Sequence, residues 1–364
     1  GVLAVTNDDE ANLAIAIAVR LLNPDIPVIA RAEQKSVAAN MASFGTDHII
    51  NPYERFADSL ALAVAAPERF RLIEQLTSLP ETPLAEPHRP PRGHWILCGY
   101  GRFGHAIAER LRDTGISLTI IDPSAPDASQ EITGDGTEAA TLRQAGIAKA
   151  QGIVAGSDND INNLSIAVTA AELNPGLFVV ARQNQAANSA LFDAYGADFT
   201  VLPSRIIAQE CIALLTAPLL ARFLERVQEI DEAACRQLVA RLSADCQGLT
   251  PVLWDNRLNA AEAPAAWQAL MHDTPIRLGD LLVDAIDRQQ RLPVAPLLLE
   301  RGNDYILLPG DDCLLQAGDQ LLFASPLAAQ RCLEMTLRNA NELDYVLSGR
   351  ENSGSLLGRL LASR

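Results

Sequence analysis

The chain contains one long stretch of itself twice. Sliding the sequence by 151 residues lays Gly1–Pro67 over Gly152–Pro218 without a gap, with about 20 identical positions. They include Asp9/Asp160, Asn12/Asn163, Leu13/Leu164, Asn23-Pro24/Asn174-Pro175, Arg31/Arg182, Gly45/Gly196, Asp47/Asp198 and Pro52/Pro203. Two Ala-rich segments do not share Asn, Pro, Gly and Arg in register by chance. Any fold for this chain must therefore hold two copies of one unit.

The second copy is longer and shows the plan of the unit. His94–Cys98 is a short apolar run that ends in the cluster Gly99-Tyr100-Gly101-Arg102-Phe103-Gly104. A helical pattern follows, with Ala106, Ile107 and Leu111 on one face, ending near Gly115. Leu118–Ile121 is an apolar run closed by Asp122, and Gly134-Asp135-Gly136 precedes a short helix around Thr137–Ala145. Gly152–Ala155, Leu177–Ala181 and Phe199–Leu202 read as further strands, with helices at Asn159–Leu173 and Gln185–Ala194. Strands alternating with helices of this length predict βαβ units, hence an α/β fold with a Rossmann-like, doubly wound parallel sheet. The first copy holds only the last half of this plan, because residue 1 corresponds to Gly152. In the usual strand order the other half pairs beside that strand, and omitting it bares an apolar strand edge. The expectation is that the sequence starts mid-domain, with the missing half upstream or on another chain.

Composition narrows the function classes. Apolar residues at 48% and charged residues at 20% are those of an ordinary globular chain. A net charge of −16 repels nucleic acid and anionic lipid. The six cysteines lie far apart with no C-x-x-C pair, which argues for reduced thiols and against a disulfide or zinc scaffold. The nearest approach to a membrane span, Ile206 to Leu224, is interrupted by Gln209, Glu210 and Arg222, so a buried helix and a soluble chain are expected. Leu79–Gly93 carries Pro80, Pro83, Pro87, Pro90 and Pro91 and reads as a stiff, extended linker. Pro52–Leu76 and Pro203–Val227 read as long helices. Pro251–Leu258 reads as a strand, and Leu292–Leu299, Tyr305–Leu308 and Gln320–Ala324 as a small hairpin-rich module.

The glycine cluster follows a strand, opens a helix and has an acid 23 residues after Gly99. Gly99 permits the tight turn, Gly101 lets the backbone approach a pyrophosphate, and Gly104 lets helix and strand pack closely. The helix N-terminus offers N–H groups to phosphate, and Asp122 suits an adenosine ribose 2′-OH rather than a 2′-phosphate. Asp135, with Gly134 and Gly136, falls where an adenine would lie. Ser157 and Asp158 stand at the mouth of the crevice, Asp158 reading equally as a helix cap or a ligand contact. Arg182 ends its strand and reads either as a phosphate contact or as half of a salt bridge. His105 reads as a solvent-facing side chain.

Together these motifs resemble the RCK domain (regulator of K+ conductance, KTN, or TrkA-N with its TrkA-C companion). The resemblance rests on Gly99 to Gly104, Ile121-Asp122, Gly134-Asp135-Gly136, Leu142-x-x-Ala145-Gly146-Ile147, Asp160-x-x-Asn163, Val180-Ala181-Arg182, Gly196-Ala197-Asp198 and Pro203. It implies the C-terminal half of a first RCK N-lobe with its crossover helix at 1–78, the Pro-rich linker at 79–93, and a second, nucleotide-binding N-lobe at 94–227. It further implies a helical connection and TrkA-C-like lobe at 228–336 and a helical tail at 337–364. The family's tandem copies imply a cytoplasmic gating ring of a potassium channel, in which dimers of RCK domains from four chains form a ring of eight. The pore domain would lie on the same or another chain at the inner face of the cell membrane. NAD(H) is the first expected ligand, with ADP, ATP or AMP next. The alternatives are a regulatory subunit of a K+ uptake system or K+/H+ antiporter, and an NAD-dependent oxidoreductase. The oxidoreductase lacks support, since no Tyr-x-x-x-Lys pair, metal cluster or G-x-S-x-G turn is present. Asp8-Asp9 and Asp311-Asp312 are acid pairs that read as Ca2+ ligands or as solvated turns.

Overall fold

The computed structural model describes residues 1–84, 89–124 and 131–349. It divides into two compact units, one formed by Gly1–Phe70 with Glu86–Cys211 and the other by Arg71–Ala85 with Ile212–Arg364.

The first unit opens with β1 (Val2–Ala4), α1 (Asp9–Leu22), β2 (Val28–Arg31), α2 (Lys35–Ser43), β3 (His48–Ile50) and α3 (Pro52–Ala65), and the chain leaves through α4 (Pro67–Thr77). It re-enters with β4 (His94–Cys98), α5 (Arg102–Asp113), β5 (Ser117–Asp122), β6 (Glu131–Thr133), α6 (Ala139–Gln144) and β7 (Gly152–Ala155). The remainder is α7 (Asp160–Leu173), β8 (Phe178–Arg182), α8 (Ser189–Tyr195), β9 (Phe199–Val201) and α9 (Pro203–Thr216). The second copy makes a six-stranded parallel sheet of order β6-β5-β4-β7-β8-β9, the doubly wound order expected from the sequence. The first copy makes a three-stranded parallel sheet, β1-β2-β3.

The repeat holds down to strand register. Val2 pairs with Val28 as Ile153 pairs with Val179, and Ile29 with His48 as Val180 with Phe199. The shared polar residues are the staples of the unit. Asn12 donates to the carbonyls of Thr6 and Arg31 and accepts from the Thr6 N–H, while Asn163 does the same for Ser157 and Arg182. Asp9 accepts from the N–H groups of Glu33 and Gln34, and Asp160 from those of Asn184 and Gln185. Asp47 and Asp198 accept from Val28 and Val179 at 2.6 and 2.7 Å. Gly45 and Gly196 both sit at positive φ, 75° and 72°. In the second copy β4 pairs with the outer edge of β7. The matching edge of β1 has no partner strand among the described residues, and Leu3 beside it is exposed. The two copies share a core in which Tyr53, Ala57, Leu60 and Val64 of α3 pack with Phe103, Ile107 and Leu111 of α5.

The two long helices expected at Pro52–Leu76 and Pro203–Val227 are each broken. The breaks fall at Ala66 and Ala217, before Pro67 and Pro218, which open α4 and α10 (Pro218–Arg226). Proline has no N–H for the helical ladder and crowds the preceding turn, so a new helix starts at each.

The second unit continues with α11 (Glu232–Asp245), β10 (Val252–Arg257), α12 (Pro264–Met271) and α13 (Leu278–Leu281). It closes with β11 (Ala295–Arg301), β12 (Asp304–Leu307), β13 (Gln320–Ser325), α14 (Leu327–Arg338) and α15 (Ala340–Ser348). Its four-stranded antiparallel sheet has the order β10-β13-β11-β12. Leu238, Val239 and Leu242 of α11 cover one side of the sheet; Ala265, Leu333 and Leu337 join Trp254 and Phe323 in the core on the other. The start of the proline-rich segment is docked within this unit, where Glu81 and Thr82 exchange backbone hydrogen bonds with Thr250 at 3.0 and 2.8 Å. Residues 85–88 of that segment and 350–364 of the expected C-terminal helix lie outside the described residues. Among the described residues no single helix is long and apolar enough to cross a membrane.

Candidate functional site

The site is built where β4 gives way to α5. Each loop glycine has its own reason to lack a side chain. Gly99 turns at φ +95°, with Gly156 and Ser157 backbone atoms 3.1 Å from where a Cβ would stand. A Cβ on Gly104 would lie 2.1 Å from the Gly99 carbonyl oxygen, so α5 can seat on β4 only if residue 104 is glycine. At Gly101 a Cβ would meet nothing within 4 Å and φ is an ordinary −74°. Nothing in the fold needs glycine there, whereas a ligand approaching the backbone does. Gly101 is also the N-cap of α5 and supplies no side-chain oxygen to its first turn, which leaves those N–H groups open to an anion. Phe103 is buried in the core beneath the loop.

Asp122 ends β5 beside the loop. Its carboxylate accepts from the Tyr100 N–H at 2.7 Å and from the Ser124 N–H at 2.8 Å, so it faces the glycine turn. Gly136 lies against Cys98, whose Sγ would be 2.8 Å from a Cβ there. Burial, with the Asp135 carboxylate nearby, pushes the Cys98 thiol up to about 12. Asp135 is exposed and accepts from the Thr137 N–H at 2.9 Å, while Gly134 abuts Thr141. Ser157 is held by Asn163 next to Gly99. Asp158 is exposed, and the cap of α7 is its neighbour Asn159, which accepts from Ile161 and Asn162 N–H groups. The capping role weighed for Asp158 thus belongs to Asn159.

Arg182, at the end of β8, makes no salt bridge among the described residues, in contrast to the pairing weighed for it. Its guanidinium lies over the rings of Tyr53 (4.9 Å) and Phe103 (5.4 Å), donates to the Tyr53 hydroxyl at 3.0 Å and reaches the Gly156 carbonyl at 3.5 Å. All the expected site residues therefore gather at the C-terminal ends of β4 to β8, the crevice where doubly wound sheets hold their ligands. His105 is exposed and stacks on Tyr100, ring centroids 3.8 Å apart. The acid pairs are otherwise engaged: Asp8 caps α1, Asp9 binds backbone N–H groups, and Asp311 pairs with Arg291. No cluster of three metal-ligating side chains occurs among the described residues.

The sequence reading missed what the first copy brings to this crevice. Glu33 pairs with Arg102 of the glycine loop at 3.0 Å and with Arg31, and Tyr53 meets both Glu33 and Arg182. The only sequence signal was the shared Arg31/Arg182, since Glu33 aligns with Asn184 and Tyr53 with Ser204.

A glycine turn, an uncapped helix N-terminus and a strand-end acid at a switch point define a dinucleotide-type binding fold. Residues 1–52, in the first copy, and 95–203, in the second, match the TrkA-N domain. The chain is 30% identical over 148 residues to potassium channel protein 1 of Methanocaldococcus jannaschii, a match covering 38% of this chain and 44% of that one. It is 29% identical over 155 residues to the glutathione-regulated potassium-efflux system protein KefC of Shigella sonnei, covering 38% and 25% respectively. The chain thus spans less than half the length of these relatives. Among solved structures it is similar to GsuK bound to ADP, at 25% identity and a TM-score of 0.44, covering 58% of this chain and 50% of that one. These curated relatives are named for potassium transport rather than for an enzyme.

Proposed function

We propose that the second copy is a sensor for an adenine nucleotide with a free ribose diol, NAD(H) first and ADP, ATP or AMP next. The observation that carries this is Gly101, open to approach and capping a helix whose first N–H groups are free, with Asp122 facing the same turn. The pyrophosphate takes the loop N–H groups and Arg102, and Asp122 takes the ribose hydroxyls. Gly99, Phe103 and Gly104 shape the loop around Tyr100, the adenine lies toward Gly134, Asp135 and Gly136, and Ser157, Asp158 and Arg182 line the mouth.

The ligand acts by preferring one arrangement of domains over another, not by chemistry, since it can shift an equilibrium only by its differential affinity. The chain is then the cytoplasmic gating-ring region of a potassium channel. It assembles as a homo-oligomer and couples nucleotide to K+ flux through a pore domain on the same or another polypeptide. A K+ efflux or antiport regulator is the second reading, favoured by the likeness to KefC.

Titrating the protein with NAD+, NADH, ADP, ATP, AMP and NADP+ tests the sensor. Binding of the diol nucleotides with exclusion of NADP+ is expected. Failure of all of them at millimolar concentration contradicts it, and steady oxidation of NADH with a carbonyl substrate favours the oxidoreductase.

A further inference from the structure

Two arginines, Arg31 and Arg102, hold one carboxylate, Glu33, beside the glycine loop, and a third, Arg182, lies one group away on the Tyr53 hydroxyl. Arg31 is only 7% exposed, and its guanidinium donates to Asn7 and to Glu33. Arg102, the first residue of α5, holds the other Glu33 oxygen at 3.0 Å. The Tyr53 hydroxyl contacts the same carboxylate and accepts from Arg182. The Glu33 side chain is itself 9% exposed. Counting Asp9, whose carboxylate accepts from the Glu33 N–H, two acids stand among three guanidinium groups, which leaves a positive surplus next to the positive end of the α5 dipole. The Nε atoms of both Arg31 and Arg182 are buried with no hydrogen-bond partner. An unsatisfied buried donor is costly, and two of them in one cluster point to an anion with more acceptor oxygens than Glu33 provides. A phosphate group is such an anion, and guanidinium forks suit it.

We propose that Glu33 is a tethered stand-in for phosphate: it occupies Arg102 when the crevice is empty, and the phosphates of a bound nucleotide displace it. This rests on the nucleotide reading of the crevice and deepens it. Displacement frees Glu33, and with it the segment after β2, from Arg102 of the glycine loop. Nucleotide binding at the second copy then releases a hold that the first copy has on it. By reciprocity, any change that loosens Glu33 tightens the nucleotide.

The test is calorimetry of the whole chain with ADP and with inorganic pyrophosphate. It compares wild type, Glu33→Gln, Glu33→Asp (charge kept but one methylene shorter), and Glu10→Gln as an exposed control for net charge. Glu33→Gln should tighten both ligands by about fivefold to tenfold, as expected for losing a competing charge-assisted contact. Glu33→Asp should move the same way by less, and Glu10→Gln should change neither. Equal ADP affinity in wild type and Glu33→Gln overturns the proposal while leaving the nucleotide reading intact. Pyrophosphate bound more tightly by Glu33→Gln, with no nucleotide bound by any variant, sinks the nucleotide reading and overturns displacement by a nucleotide, leaving only a phosphate-competing Glu33. No binding of either ligand to any variant removes both. If Glu33→Gln does not fold, Glu33→Asp decides alone, and weaker or unchanged binding in it overturns the proposal.

Discussion

Asn12 and Asn163 each tie the loop after one strand to the last carbonyl of the next, through a side chain that both donates and accepts. Asn163→Ala takes this partner from the Ser157 N–H and the Arg182 carbonyl, while the Ser157 carbonyl keeps Asn184. It should cost about 1–3 kcal/mol in denaturant unfolding, the range for orphaning buried polar groups. Asp160 gives a pH signature. Burial alone would raise its carboxyl, but hydrogen bonds from Asn188, Asn184 and Gln185 hold it below the usual range. Its folded value lies under its unfolded one, so its contribution is present above the unfolded carboxyl range and is lost as pH falls through the folded value. Acid unfolding of wild type should therefore show a loss of stability below about pH 4 that is smaller in Asp160→Asn. Gly99, Gly101, Gly104 and Asp122 were legible in the sequence because one backbone geometry dictates their spacing. Glu33 and Tyr53 were not, since they reach the crevice only through the packing of α3 on α5, and no local pattern encodes that contact.

Most strands and helices of the second copy could be read from the sequence because their apolar runs are closed by Gly, Pro, Asn or Asp; β6 was not, since Glu131–Thr133 holds one apolar residue. The breaks before Pro67 and Pro218 were missed although both prolines were visible. The apolar periodicity runs on across them, and periodicity alone does not register a lost N–H. The repeat gave the first copy its three strands, and the structure gives their pairing: β7 lies between β4 and β8, whereas among the described residues β1 pairs with β2 alone. An edge strand opens more easily than a central one. Amide exchange in this chain should accordingly protect Ile153 and Val154 far longer than Val2 and Leu3. Equal protection of β1 and β7 would mean that another strand covers the β1 edge.

Beyond either sheet, Ile161 and Val168 on α7, Leu191 on α8, and Ile212 and Leu215 on α9 are apolar and exposed. Side chains of this kind outside a core ask for another surface to cover them. Light scattering should return a mass above the 39.1 kDa of one chain, rising with concentration; a constant monomer mass would contradict an assembled ring. The central claim is that the second copy holds an adenine nucleotide across its glycine loop. The most direct measurement is titration calorimetry with NADH and ADP on wild type, Asp122→Ala and Gly101→Val, each checked for an unchanged circular dichroism spectrum. Asp122→Ala removes the ribose acceptor and should weaken binding by about 1–3 kcal/mol. Gly101→Val puts a side chain into the open space above the loop and should abolish binding while sparing the fold. Wild type that binds neither ligand at millimolar concentration, or variants that bind as tightly as wild type, would contradict the account.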